Sequence, residues 1–290
     1  MSAPARSDLA AAPADPVGPP PPGRPARRRR LRPGALPVAV IVILLVLPSL
    51  IVVPMSVSPG EILRFPPDGF SLDWYRTLFT EPQWTSAMLN SLQVALATTV
   101  LAVLIGAPAG LALGIREWRG RGLLLGLVLT PVVAPPVVVA IGMYTTYAQV
   151  ELIGRWGLIA AHTVLAVPFV VVTVMSAARQ IDPTWLDAAR SLGASPLRVA
   201  LTVLVPLAGK GIASGALFAF ITSWDEVVVS LYLTDPGFKT LPVQMWNQLR
   251  ERVDPTVAAV ASVMLLITTS AMVAALVIGW RRDGAARENG

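Results

Sequence analysis

The sequence predicts an all-α integral membrane protein with six transmembrane helices. Of its 290 residues, 54% are hydrophobic and 14% are charged, and the mean hydropathy is +0.65. A water-soluble domain carries about 25% charged residues. Six apolar stretches are long enough to cross roughly 30 Å of hydrocarbon at 1.5 Å per residue, and basic residues concentrate in alternate loops. An ordinary soluble enzyme is therefore excluded.

The N-terminal segment, residues 1–35, is expected to be a disordered cytoplasmic tail. It is rich in Pro, Ala and Arg, lacks apolar periodicity, and ends in five arginines between positions 27 and 32. Such a composition cannot bury a core. The apolar run Leu36–Val57 follows directly. A signal peptide has a shorter apolar region and a small-residue cleavage site, so this run is expected to be an uncleaved first span.

Five further stretches complete the predicted transmembrane domain, residues 36–280, before a short cytoplasmic tail, residues 281–290. They are Val94–Ile115, Gly122–Tyr147, Trp156–Ala178, Gly211–Leu233 and Val257–Trp280. The third and fourth stretches contain prolines, Pro131, Pro135, Pro136 and Pro168. In a helical bundle, neighbouring helices and side chains can satisfy the backbone groups that a proline frees.

The distribution of basic residues predicts that both termini are cytoplasmic. With the N-terminus inside, 17 of the 23 Lys and Arg residues lie in inner segments and 6 in outer loops, as the positive-inside tendency requires. The net charge of +6 therefore indicates a membrane partner, the lipid bilayer, and no nucleic acid. Only two of the basic residues are lysines, a bias that suggests a bacterium with a GC-rich genome. Together with the six predicted spans, it predicts a multi-pass protein of the bacterial plasma membrane.

The sequence contains no recognisable catalytic or metal site. It has no phosphate-binding glycine loop, no H-E-x-x-H and no G-x-S-x-G, and the absence of cysteine excludes disulfides, iron–sulfur clusters and thiol nucleophiles. The single histidine, His162, lies on the fourth predicted span. We favour a hydrogen-bonded packing role for it over a proton relay. We therefore expect no enzyme activity, no metal and no cofactor bound by this chain.

The loop between the fourth and fifth spans, residues 179–206, predicts two short helices at an angle. Asp182 before Pro183 is a helix cap followed by a first-turn proline, and Ser195 before Pro196 repeats this start. Gly193 lies between them and suits a left-handed helix terminator. The loop lies on the predicted cytoplasmic side.

The first of these helices carries an apolar stripe. Trp185, Ala188, Ala189 and Leu192 are spaced i, i+3, i+4 and i+7. Small residues allow close approach to another protein, and Asp187 and Arg190 at the edge can set the orientation. An amphipathic helix can also lie on the membrane surface. Amphipathicity alone does not distinguish this interpretation from docking to a protein.

The spacing in this loop resembles the EAA signature of permease subunits of binding-protein-dependent ABC importers. Asp187-Ala188-Ala189 is followed by three residues, Gly193, nine residues, and then Val203-x-Val205-Pro206. The family signature is Glu-Ala-Ala, three residues, Gly, nine residues, and Ile-x-Leu-Pro. This resemblance implies a type I ABC importer permease fold. It also implies that the loop docks into an ABC ATPase subunit, which uses the ATP and Mg²⁺.

From Phe70 to Leu266 the chain looks like the second permease of spermidine/putrescine importers. The resemblance rests on residues 69–75, on His162 with residues 168–174, and on the segment 223–230. It implies six spans, a second homologous permease, two ATPase subunits and an extracytoplasmic substrate-binding protein. The chain departs from the polyamine branch at Trp224 and Glu226, where Met and Asp are usual. Relatives in this branch carry iron, aminoethylphosphonate or opine-like compounds, which remain alternatives.

Two acidic residues, Asp225 and Glu226, lie inside the fifth apolar run and are the expected core of a substrate path. A charge at such depth costs roughly 2.5–3.5 kcal/mol on insertion scales, so its default interpretation is functional. The alternative is a structural pair with a basic residue of a partner chain. On a continuous helix the two side chains diverge by about 100°, so only one would face the path.

Four further residues are candidates for this path: Ser223 and Trp224 beside the acids and, as weaker candidates, Tyr144 and Tyr147 at the outer end of the third predicted span. Trp224 could present its aromatic face to an ammonium group, although a lone intramembrane tryptophan more often packs or anchors. We expect a cationic, polyamine-like substrate. A gradient-driven carrier would usually show inverted repeats, which we do not see, and a scaffolding protein would leave the acid pair unexplained.

Overall fold

The computed structural model describes residues 35–251 and 255–288. These residues are helical or irregular, and their one β feature is an isolated bridge between Asp235 and Phe238. The predicted all-α class is confirmed. The expected tail before residue 35 lies outside the described residues. The chain divides into two units, Met1–Leu45 and Val46–Gly290, and residues 35–45 of the first unit are helical.

The helices run in order along the chain. The first six are α1 (Ala35–Met55), α2 (Asp73–Thr80), α3 (Pro82–Ile115), α4 (Arg121–Val133), α5 (Pro136–Gln149) and α6 (Arg155–Ala178). The loop region then contains α7 (Pro183–Ser191), α8 (Pro196–Val199), a π-helical turn (Ala200–Leu204) and α9 (Val205–Leu207). The last four are α10 (Gly209–Trp224), α11 (Val228–Leu233), α12 (Leu241–Glu251) and α13 (Thr256–Glu288).

Three helices in the described residues are each long and apolar enough to cross a membrane: α3, α6 and the segment Thr256–Val277 of α13. Two bent pairs also qualify by length and composition. They are α4 with α5, at 99°, and Pro196–Leu207 with α10, at 74°. Val40–Met55 is a shorter apolar helix. The described residues therefore hold three to five candidate spans, and the count of six stays a prediction.

Two spans that the sequence predicts as continuous are broken. The third breaks at Ala134, whose extended backbone (ψ 145°) precedes Pro135 and Pro136. A residue before proline is driven out of the helical region, and proline offers no N–H to continue the hydrogen-bond ladder. The fifth breaks after Trp224 and resumes at Val228. The predicted continuous helix Gly211–Leu233 is therefore wrong.

One part of the bundle is built on α6, which packs against both α3 and α10. Glycines allow this close approach. A Cβ atom added to Gly110 of α3 would lie 2.8 Å from the Val171 carbonyl oxygen, and one added to Gly215 of α10 would lie 2.9 Å from the Val170 Cα. Val170, Val174 and Ala178 of α6 are buried in the resulting core.

A second part of the bundle contains two helices that the sequence analysis does not predict, α2 and α12. Both pack around the N-terminal part of α3, which begins at Pro82 and not at the expected Val94. A 34-residue helix is about 51 Å long and so exceeds the roughly 30 Å hydrocarbon core. A buried cluster of Leu78, Trp84, Trp224, Leu241 and Val260 joins these elements.

Candidate functional site

The two predicted path acids lie at the break between α10 and α11. The Asp225 N–H still donates to the Ile221 carbonyl at 3.2 Å, but Asp225 has left helical geometry (φ −102°, ψ 4°). On this chain its side chain is exposed, whereas Glu226 is partly buried. The 100° divergence expected for neighbours on a continuous helix therefore does not apply. The orientation of each acid is set by the geometry of the break.

Glu226 acts as a cap for α11. Its Oε1 accepts a hydrogen bond from the backbone N–H of Val229 at 2.8 Å, and its carbonyl oxygen accepts one from the Ser230 hydroxyl at 3.0 Å. The first turn of a helix has unsatisfied N–H groups and attracts negative charge. The Glu226 carboxylate therefore has a structural partner within the chain.

His162 connects α6 to both sides of the break. The ring is 1% exposed, with Nδ1 2.8 Å from Oγ of Ser223 on α10 and Nε2 3.0 Å from Oγ of Ser230 on α11. The single Ser230 proton is donated to the Glu226 carbonyl. In the neutral imidazole, Nε2 must therefore donate to Ser230, and Nδ1 accepts from the Ser223 hydroxyl. The hydrogen-bonded packing role expected for His162 matches this geometry.

The four further path candidates separate into two groups. Ser223 is buried on His162, and Trp224 is 1% exposed, stacked on Phe220 with ring centroids 5.9 Å apart. Trp224 therefore packs inside the chain and presents no open aromatic face. Tyr144 is 42% exposed on α5, and Tyr147 is partly buried in a cluster with Leu233 of α11. The structure thus brings Ser223 to the break and places both tyrosines on a helix that packs against α11.

A groove of about 740 Å³ along α6 and α10 was missed by the sequence analysis. Its polar lining includes Thr173, Ser176, Gln180, Lys210 and Ser214. Thr173 and Ser176 of α6 and Gln180, two residues after its end, are spaced i, i+3 and i+7, a sequence signal that could have found it. At one end the groove reaches Asp182 and Trp185 of the loop 179–206.

The local structure of the loop 179–206 is as the sequence predicts. Asp182 caps α7, and its Oδ1 accepts hydrogen bonds from the N–H of Thr184 at 2.9 Å and from the Thr184 hydroxyl at 2.8 Å. These bonds lower the pKa of Asp182 below its ordinary value. Ser195 caps α8 through a 3.4 Å bond from the Arg198 N–H. Gly193 has the left-handed conformation, with φ +80°.

The two faces of α7 have different surroundings. Leu186 is 4% exposed and inserts into the core cluster that also contains Val199 and Leu204. The opposite side presents Trp185 and Leu192, which are 63% and 88% exposed. Ala188 is also exposed and Ala189 is partly buried, while Asp187 and Arg190 form an exposed ion pair at 3.5 Å. An apolar surface is therefore available on a helix anchored by its other face.

The sequence is similar to known transport permeases. Residues 106–282 match the family described as binding-protein-dependent transport system inner membrane component. The chain is 31% identical to the spermidine/putrescine transport system permease protein PotC of Escherichia coli (strain K12), over 72% of this chain and 80% of the relative. It is also 33% identical to the molybdenum transport system permease protein ModB of Mycobacterium tuberculosis (strain ATCC 25618 / H37Rv), over 70% and 82%.

The fold resembles that of a solved bacterial ABC transporter involved in the import of the acidic polysaccharide alginate. The TM-score is 0.62 at 16% sequence identity, covering 85% of this chain and 94% of that one. At this identity the likeness shows the fold alone, and that fold is the permease fold of ABC transporters. The chain therefore belongs to the family of binding-protein-dependent transport system inner membrane components, as a multi-pass permease subunit of an ATP-driven importer.

Proposed function

We propose that this permease imports a small organic cation of the polyamine class and that the Asp225 carboxylate guides it. The observation that carries the proposal is that the two acidic side chains have different surroundings. Glu226 caps α11, whereas Asp225 is exposed on this chain at the break. A carboxylate inside an apolar run is costly unless water, a partner or a ligand compensates it. A cationic substrate supplies that compensation transiently.

The similarity to a spermidine/putrescine permease supports the cation class, but similarity alone does not discriminate substrates. The molybdenum permease relative has a comparable identity. An oxyanion would be repelled by Asp225, because both carry negative charge. Charge at Asp225 is therefore the feature that separates the two substrate classes.

Transport by the complete assembly tests this assignment. The complex, with its ATPase, second permease and binding protein, is reconstituted in liposomes and ATP-dependent uptake of labelled spermidine, molybdate, ferric iron and aminoethylphosphonate is measured. We expect spermidine uptake by the wild type and a loss of roughly tenfold or more in Asp225→Asn, since hydrogen bonds to charged groups contribute about 1.5–3 kcal/mol. Asp68→Asn, an exposed carboxylate in a loop before α2, is the matched control and should retain uptake.

Two results would contradict the proposal. One is unchanged spermidine uptake in Asp225→Asn in complexes that assemble normally. The other is uptake of molybdate, ferric iron or aminoethylphosphonate, and not of spermidine, by the wild type.

Energy supply is proposed to come from partners. Two ABC ATPase subunits would bind ATP and Mg²⁺, and this chain would bind neither. A second homologous permease would complete the path, and an extracytoplasmic binding protein would deliver the substrate. The exposed stripe of Trp185, Ala188 and Leu192, with Asp187 at its edge, would contact one ATPase, while Leu186 holds the helix to the bundle.

Association of the subunits tests the docking surface. Leu192→Asp should weaken co-purification of the ATPase with this chain, because it places a charge in an apolar contact. Ile62→Asp is the matched control, because Ile62 is 64% exposed in the loop before α2 and lies outside both the stripe and the predicted spans. Normal ATPase recovery with Leu192→Asp would contradict docking through the stripe and favour a membrane-surface role for α7.

A further inference from the structure

We infer that His162 is a positioning residue that holds the break between α10 and α11 in the form that keeps Asp225 exposed. The inference rests on the proposed role of Asp225 but concerns a different element, α6. It follows from the chain of hydrogen bonds that begins at Ser223 and ends at the backbone of Glu226.

The hydrogen bonds around His162 have a defined direction. Ser223 donates to Nδ1, Nε2–H donates to Oγ of Ser230, and Ser230 donates to the Glu226 carbonyl. This series of hydrogen bonds begins in the last turn of α10 and ends at Glu226, the residue next to Asp225. His162 thus fixes both ends of the interruption to one point on α6.

The position of the break needs such support because the local sequence does not enforce it. Residues 225–227 contain neither proline nor glycine, the usual causes of an interruption. A continuous helix would satisfy the backbone groups that the break exposes in a low-dielectric environment. In the broken form, the buried imidazole of His162, which is 1% exposed, is hydrogen-bonded through both ring nitrogens to the hydroxyls of Ser223 and Ser230. These bonds stabilise the break in place of the helical ones.

Because this chain contains no cysteine, a single introduced cysteine can be labelled specifically and its exposure measured. In complexes carrying Asp225→Cys, the rate of modification by a cationic methanethiosulfonate reagent reports exposure at position 225, with labelling of this chain quantified by mass spectrometry. Addition of His162→Leu removes both hydrogen bonds and should slow the reaction at least about two- to tenfold, the shift that loss of one hydrogen bond alone produces. An unchanged or faster rate would overturn the inference.

Further variants keep the test informative if His162→Leu fails to assemble. Ser230→Ala removes the link to α11 alone and should slow labelling in the same direction. His162→Gln, whose amide reaches the Nε2 position, should label faster than His162→Asn, whose amide reaches only the Nδ1 position. Thr163→Val is the matched control: Thr163 is 6% exposed on the same helix but bonds only to the Ile159 carbonyl of its own helix. Equal slowing in Thr163→Val would show a general packing effect and overturn the specific role of His162.

Transport separates this inference from the proposed function. If His162 acts through Asp225, His162→Leu should lower spermidine uptake in the wild-type background and have no further effect on uptake in Asp225→Asn. Additive losses would overturn the positioning role. Full uptake by Asp225→Asn would instead overturn the proposed function, and the labelling rates would still decide whether His162 sets the exposure of position 225.

Discussion

The Glu226 carboxylate accepts a hydrogen bond from the Val229 backbone N–H at 2.8 Å, and this bond distinguishes Glu226 from its neighbour Asp225. Adjacent carboxylates in an apolar run look equivalent in sequence. In the structure one caps a helix and the other is exposed. The two acids should therefore respond differently to mutation.

Glu226→Gln should preserve most of the uptake rate, because the amide oxygen of glutamine can still accept from Val229. Glu226→Ala removes the acceptor and should lower the stability of the complex by about 1 kcal/mol, the usual effect of losing a helix cap. Uptake and thermal denaturation of the two variants, compared in one detergent, provide the measurement. A loss of uptake in Glu226→Gln as large as in Asp225→Asn would place Glu226 in the path as well.

Gly110→Ala should destabilise the bundle. The added Cβ would lie 2.8 Å from both the Val171 carbonyl oxygen and the Val174 Cβ, so α3 and α6 must move apart. Such overpacking costs typically 1–3 kcal/mol. Gly126→Ala on α4 is the matched control, because nothing lies within 4 Å of its added Cβ. The thermal midpoint of the purified complex should fall for Gly110→Ala and stay unchanged or rise for Gly126→Ala; equal midpoints would contradict this packing.

Features that depend on neighbouring residues could be predicted from the sequence. The Asp182 cap, the Ser195 cap and the left-handed Gly193 each follow from local side-chain and backbone chemistry. The apolar runs predicted the approximate position of the spans for the same reason, because the hydropathy of a segment depends only on its own residues.

Features that depend on distant partners could not be predicted in this way. The two sides of the break after Trp224 are both hydrogen-bonded to His162, which lies 61 positions from Ser223 and 68 from Ser230. The N-terminal part of α3 is joined to α12 by a 2.7 Å hydrogen bond from the Leu241 N–H to the Ser91 hydroxyl, 150 positions away. The burial of Trp224 likewise requires Trp84, Leu78 and Val260 from three other helices.

The cytoplasmic location of both termini remains a prediction from the loop charges. A reporter enzyme that is active only outside the cytoplasm should be inactive when fused after residue 290. The same reporter fused after Glu151, in a predicted outer loop, should be active and so controls for expression and insertion. Strong activity of the fusion at residue 290 would contradict the predicted orientation.

Asp182 should contribute to α7 as a charged cap at every physiological pH. The bonds from Thr184 lower its pKa, so the stabilisation is complete above the ordinary aspartate range near pH 4 and is lost only as the pH falls through the lowered pKa. Asp182 therefore stays ionised between about pH 6 and 8, and its cap should add no pH dependence to the substrate-stimulated ATPase activity of the complex in this range. Asp182→Asn, which keeps a capping oxygen, should retain coupling better than Asp182→Ala; equal activity of the two variants would show that the cap does not matter.

Gly193 should be required for coupling because of its backbone conformation and not because of space. Its φ is +80°, yet nothing lies within 4 Å of an added Cβ. A non-glycine residue in this conformation costs roughly 1–2 kcal/mol, more for β-branched residues and less for asparagine. Gly193→Val should therefore displace α7 relative to α8 and lower uptake and stimulated ATPase activity several-fold, while Gly193→Asn retains most of both. Membrane insertion, measured by the amount of chain in washed membranes, should be unchanged in both variants. Wild-type uptake and wild-type ATPase association in Gly193→Val would contradict a coupling role for this turn.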